Sequence, residues 1–196
     1  MNFLHGLFPN IDDWGELGQA CVDTLLMLGG SLLLTVAIGL PLGVLLYLAG
    51  PGRLRPNRPL YGALSLVVNI LRSIPFIILM IVVMPLTYVL VGTKLGVRGA
   101  IPPLVIGAAP FFARLVETAL REVDRGVIEA SQAMGASTWQ IVRHVLLPEA
   151  RGGLYAGITV TAIALVGYTA MGGAIGAGGL GDLAYRYGYL SYKSDY

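Results

Sequence analysis

Residues 128–148 read Ile128-Glu129-Ala130-Ser131-Gln132-Ala133-Met134-Gly135-Ala136-Ser137-Thr138-Trp139-Gln140-Ile141-Val142-Arg143-His144-Val145-Leu146-Leu147-Pro148. Their local chemistry spells two short helices with a hinge. Gly135 can adopt a left-handed conformation without a Cβ penalty, which closes the first helix. Ser137, with Gln140 three residues on, forms a capping box that opens the second. Pro148 marks the end of that helix, since its ring removes a backbone donor. Met134, Trp139 and Ile141 are strangely apolar for a loop in water, so a partner surface is expected to cover them.

The chain on either side belongs to a different solvent. Of 196 residues, 56% are hydrophobic and 12% charged, against about 25% charged in soluble domains. The expected fold class is therefore an all-α integral membrane protein. Thr24 to Gly52 carries no charge and makes the first span, since crossing the hydrocarbon takes about 20 apolar residues. Leu60 to Thr93 is broken only by Arg72. We read it as one helix centred on Ile74 to Val89, entered by an amphipathic segment that keeps Arg72 near the membrane surface. Arg72 is read either as marking a pathway or, in preference, as pairing with lipid headgroups or with Glu117. The third span is Gly99 to Ala113, extended by Leu115 and Val116 with Arg114 at the boundary, and the fourth is Gly152 to about Met171.

Charge orients these four spans. Arg53, Arg55 and Arg58 follow the first, and Arg114, Arg121, Arg125, Arg143 and Arg151 follow the third, so both segments belong in the cytoplasm. The amino terminus lacks Lys and Arg through Asp23 and is expected outside, with the Lys94 to Arg98 turn, Arg186 and Lys193. It does not read as a signal peptide, for it has acidic residues where a basic region belongs. Ser194-Asp195-Tyr196 lies outside with no closing helix, which is read either as the native end or, in preference, as the loss of a further span beyond Tyr196.

Several functions are excluded. A net charge of +2 makes no field for nucleic acid. Cys21 is alone, and His5 and His144 are far apart, so both histidines are expected at the solvated surface and no metal site is expected. No carboxylate pair and no nucleophile with a base stands out, so the chain is not expected to be an enzyme. Gly92-Thr93-Lys94 lacks the spacing of a phosphate loop.

The 128–148 segment resembles the EAA loop of ABC importer permeases. Glu129, Ala130, Ser131, Gly135, Val145, Leu147 and Pro148 fall at that family's spacing, with Ser131 for the second alanine and Val145 for the usual isoleucine. Arg72-Ser73-Ile74-Pro75-Phe76-Ile77-Ile78-Leu79, Gly107-Ala108-Ala109-Pro110-Phe111 and the glycine-rich run Leu165 to Gly181 resemble the methionine importer permeases among them. The resemblance implies a single type I ABC importer transmembrane domain over 1–196, with its coupling loop at about 121–150 and a fifth span beyond Tyr196. It implies a homodimer in the bacterial inner membrane, two ABC ATPase subunits that bind ATP and Mg, and a periplasmic or lipid-anchored methionine-binding protein. It makes Glu129, Ala130, Ser131, Met134, Gly135, Ala136, Ser137, Val145, Leu147 and Pro148 the ATPase-coupling residues. A permease for another small solute is the alternative within the superfamily. A small secondary transporter or scaffold is the alternative outside it, and spans with no ionisable group but Arg72 count against ion coupling.

Ten glycines between Gly152 and Gly181 suggest broken structure after Met171, since each costs a helix about 1 kcal/mol relative to Ala. Such backbone survives in a membrane when packed in protein or lining a wet cavity. Gly172 to Gly181 is therefore read either as the outer mouth of a pathway or as close packing. Tyr168, Thr169, Met171, Gly172 and Gly173 are the candidate gate, with Met171 the narrowing side chain. Gly39-x-x-x-Gly43 and Gly153-x-x-x-Gly157 are read as helix-packing pairs.

Overall fold

The computed structural model describes residues 13–192, so His5, Lys193 and the Ser194–Tyr196 end lie outside the described residues. The elements are helical: α1 (Trp14–Ala49), α2 (Arg58–Ser73), α3 (Phe76–Val91), α4 (Gly96–Arg121), α5 (Arg125–Ala133), α6 (Thr138–Ile141), a π-helical turn (Val142–Leu146), α7 (Leu147–Glu149), α8 (Arg151–Gly173), α9 (Gly179–Leu183) and a second π-helical stretch (Ala184–Leu190). Helices α1, α4 and α8 are each long and apolar enough to cross a membrane, and α2 with α3 passes the same test only as a pair bent by 112°, the geometry of a broken span or a re-entrant loop. Three of the four expected spans are thus present with shifted limits, and the second is the bent pair. Helix α1 starts ten residues before Thr24, and its 36 residues reach about 54 Å at the α-helical rise.

The expected helix around Ile74 is a break instead. Ile74 is extended, with ψ at 127°, because the Pro75 ring crowds the residue before it out of the helical region. Helix α2 begins on a capped turn, with the Leu60 N–H donating to Asn57 Oδ1 at 3.1 Å. Arg72, at its end, lies 5.7 Å from the centre of the Phe111 ring. Its expected alternative partner, Glu117, is held by Arg114 and Arg121. Arg72 is also not the one charge within the spans, since α4 contains Arg114 and Glu117.

The chain divides into two compact units. One comprises Leu33–Ile74 and Ile106–Ile163. Its core joins Tyr47, Phe112, Val116 and Leu120 to Ile128, Ile141, Val142 and Leu146. Close approach here depends on glycine. A Cβ on Gly43 would stand 2.5 Å from Val116 Cβ and 2.6 Å from the Ala113 carbonyl oxygen, and one on Gly153 would stand 2.7 Å from Ala119 Cβ. Both expected glycine pairs are packing pairs.

The other unit comprises the described residues up to Leu32, Pro75–Val105 and the described residues from Ala164 on. Phe76 and Tyr168 stack at 4.2 Å between centroids. Arg186 joins Glu16 at 3.0 Å and Asp182 at 2.8 Å, and the Tyr187 hydroxyl reaches Glu16 at 3.0 Å. The Leu180 N–H donates to Thr24 Oγ1 at 2.9 Å.

Candidate functional site

The 121–150 loop folds as two short helices, with the expected stop at Gly135 and the expected start at Ser137. Asp124 caps α5 through the Gly126 N–H at 2.7 Å. Gly135 follows its end at φ +80°. Ser137 and Gln140 make both halves of the capping box, with the Ser137 N–H donating to Gln140 Oε1 at 2.8 Å and the Gln140 N–H to Ser137 Oγ at 3.4 Å. Replacing Ser137 with Ala is expected to cost about 1 kcal/mol. Amide exchange should quicken at Gln140 and Ile141 while α5 stays protected.

The loop has two faces. Ile128, Ser131, Ile141, Val142 and Leu146 are buried, and Val145 and Leu147 pack partly against them. The Ser131 hydroxyl turns back to the Val127 carbonyl at 2.8 Å. On the other face Met134 is 81% exposed and Trp139 68% exposed, while Glu129, Ala130, Gly135, Ser137 and Pro148 are also exposed and Ala136 is half-buried. Ile141, expected to await a partner, is only 1% exposed and belongs to the protein's own core. The difference follows from helical spacing, since positions two apart on a helix point to different sides. Pro148 does not end the helix that Ser137 begins. That path widens into the π-turn at Val142–Leu146 and closes at Glu149, one residue beyond Pro148. Such turns often occur at functional sites. His144 is exposed, as expected.

An apolar hollow of about 830 Å³ opens beside the loop, lined by Leu40, Val44, Leu48, Trp139, Val142 and Leu147, with Arg55 and Asn57 also on its wall.

The gate candidates separate. Helix α8 continues through Met171 to Gly173. Gly172 and Gly173 are buried, and a Cβ on Gly173 would collide with the backbone of Gly181 and Asp182. Gly181 is likewise pressed against Ala170. Broken structure therefore begins two residues later than expected, and α9 restores helix at Gly179. Thr169 is buried with its hydroxyl on the Val166 carbonyl at 2.8 Å, and Tyr168 is committed to its stack on Phe76. Met171 presents an exposed side chain.

Sequence reasoning missed the polar group on α4. Glu117 is 2% exposed between Arg114 and Arg121. The signal was available: charges at i, i+3 and i+7 lie along one helical face.

A helical membrane chain with an oily two-helix lever is the class of molecule described so far, and comparison specifies it. Residues 39–189 match the family of binding-protein-dependent transport system inner membrane components, and the chain belongs to that family. It is 55% identical to the methionine import system permease protein MetP of Bacillus subtilis, over 96% of this chain and 84% of the relative. It is 56% identical to the D-methionine transport system permease protein MetI of Escherichia coli K12, over 77% of this chain and 70% of the relative. A solved chain of the inward-facing MetNI methionine ABC transporter is 57% identical and superposes with a TM-score of 0.86, covering 87% of this chain and 79% of that one. The protein has the type I ABC importer transmembrane fold.

Proposed function

We propose that the chain is the permease subunit of an ATP-driven methionine importer, taking energy from a separate ATPase through the 121–150 loop. The observation that carries this reading is the loop's division into a face locked in the core and a face that bares Met134 and Trp139. Exposed Met and Trp on a rigid two-helix mount suit a groove in a partner protein. The relatives' names supply the substrate. The coupling residues are Glu129, Ala130, Ser131, Met134, Gly135, Ala136, Ser137, Val145, Leu147 and Pro148, with Ser131, Val145 and Leu147 bracing the mount from within. ATP and Mg are bound by the ATPase. Two copies of this chain, two ATPase subunits and an outer methionine-binding protein make the working assembly. The arginine distribution supports a cytoplasmic loop and an outer amino terminus.

Reconstitution with the ATPase and binding protein tests this. Labelled methionine should enter vesicles only with ATP, and unlabelled methionine should compete better than other amino acids. Entry without ATPase would remove the coupling, and stronger competition by another amino acid would remove the substrate.

The gate is assigned to Tyr168, Thr169, Met171, Gly172 and Gly173, with Met171 as the side chain that seals. Met171→Ala is expected to raise ATP-independent methionine leak by about tenfold, the equivalent of roughly 1.4 kcal/mol off a barrier. Leak at the wild-type level in that variant would end the assignment.

A further inference from the structure

Helix α4 carries Arg114, Glu117 and Arg121 along one face. Glu117 Oε2 accepts from Arg114 Nη1 at 2.5 Å, and its Oε1 from Arg121 Nη2 at 2.5 Å. The Tyr61 hydroxyl donates to the same Oε1 at 3.2 Å and accepts from Arg121 Nη2 at 3.0 Å. Arg114 Nη2 extends to Asn69 Oδ1 at 3.2 Å and to the Ser65 carbonyl at 3.5 Å. Tyr61, Ser65 and Asn69 stand four residues apart on α2, so they form one stripe of that helix. The network is a row of directed bonds between a stripe of α2 and a stripe of α4.

Stability alone does not explain it. Desolvating the Glu117 carboxylate, which is 2% exposed, costs several kcal/mol, and well-packed apolar side chains commonly hold two helices as firmly. Directed bonds add a fixed register to the apolar packing of Val68 and Leu64, which is the best-attested use of buried polar groups. Position along α4 indicates what needs that register. Val116 and Leu120, on a different face of the same turns, pack in the cluster that seats Ile128, Ile141 and Leu146 of the loop. The end of α4 is thus held by the loop on one face and by α2 on another.

We propose that Glu117, with Arg114 and Arg121, is a positioning group for coupling. It fastens α2 to α4 in one register, so that a displacement of the loop helices moves α2 with them. This rests on the loop being driven by an ATPase. Relaxing the network therefore separates hydrolysis from transport and leaves the fold intact.

The test uses the complete transporter in vesicles, with ATP hydrolysis and methionine uptake measured on the same preparation. In the apolar triple variant Arg114→Met, Glu117→Leu, Arg121→Met, hydrolysis is expected near the wild-type rate while uptake per ATP falls about tenfold, a typical coupling free energy. Glu117→Gln is expected to lower the same ratio. Tyr61→Phe, which keeps both ion pairs, is expected to lower it less. A wild-type ratio in the triple variant overturns the proposal. So does a proportional fall of hydrolysis and uptake in Glu117→Gln. Should the triple variant fail to assemble, an unchanged ratio in Tyr61→Phe and Glu117→Gln overturns it. Failure of the unmodified transporter to take up methionine would instead strike the function proposed above.

Discussion

Gly43→Leu is expected to lower sharply the amount of folded protein recovered from the membrane. The smallest part of the new side chain, its Cβ, would already stand 2.5 Å from Val116 Cβ and 2.6 Å from the Ala113 carbonyl oxygen. No rotamer relieves a clash at Cβ, so α1 and α4 must separate. Overpacking a tight interior typically costs 1–3 kcal/mol, and a clash with backbone belongs at or above about 3 kcal/mol. Separation would also open the cluster around Phe112, Val116 and Leu120, on which the loop rests. Gly29→Ala in the same helix is the control, since nothing lies within 4 Å of its new Cβ. Fluorescence-detected size-exclusion of detergent extracts measures both, and a Gly43→Leu peak equal to that of Gly29→Ala would contradict the packing described.

The second large effect is on assembly rather than folding. Met134→Ala with Trp139→Ala should leave helix content and thermal midpoint unchanged, because both side chains are exposed in this chain. Binding to the ATPase should weaken by about 2–4 kcal/mol, which is the range of buried interface anchors. That is roughly 30- to 1,000-fold in Kd. Retention of the ATPase on immobilised permease at wild-type strength would remove the loop as the docking point. Ile141→Ala gives the opposite pattern and loses stability, since Ile141 is held in the core.

Local chemistry carried much of this fold into view. The uncharged runs beginning at Thr24, Gly99 and Gly152 located three spans, because the membrane enforces a length and an apolar composition together. Gly135 and the Ser137–Gln140 box placed the hinge because capping depends on residues within one turn. Errors arose where distant residues decide. The spacing of Arg114, Glu117 and Arg121 puts them on one helical face, but the contact of Glu117 with Tyr61 depends on a residue 56 positions away. Helical spacing sends Ile141 and Trp139 to different sides, but which side is buried is decided by the packing of Leu120 and Leu146. The break at Ile74–Pro75 was within reach, since proline restricts its predecessor, but hydropathy runs across it without interruption. The glycines after Met171 were ambiguous because close packing and open backbone favour the same residue.

The π-turn between Val142 and Leu146 has a bearing on aim. The Leu147 N–H reaches back five residues to the Val142 carbonyl, so this turn holds one residue more than an α-turn would. One residue is about 100° of rotation in an α-helix. Trp139 therefore owes its compass bearing, relative to the chain entering at Arg151, to a single surplus link. Deleting that link would swing the indole off its heading while the composition of the lever stayed almost the same.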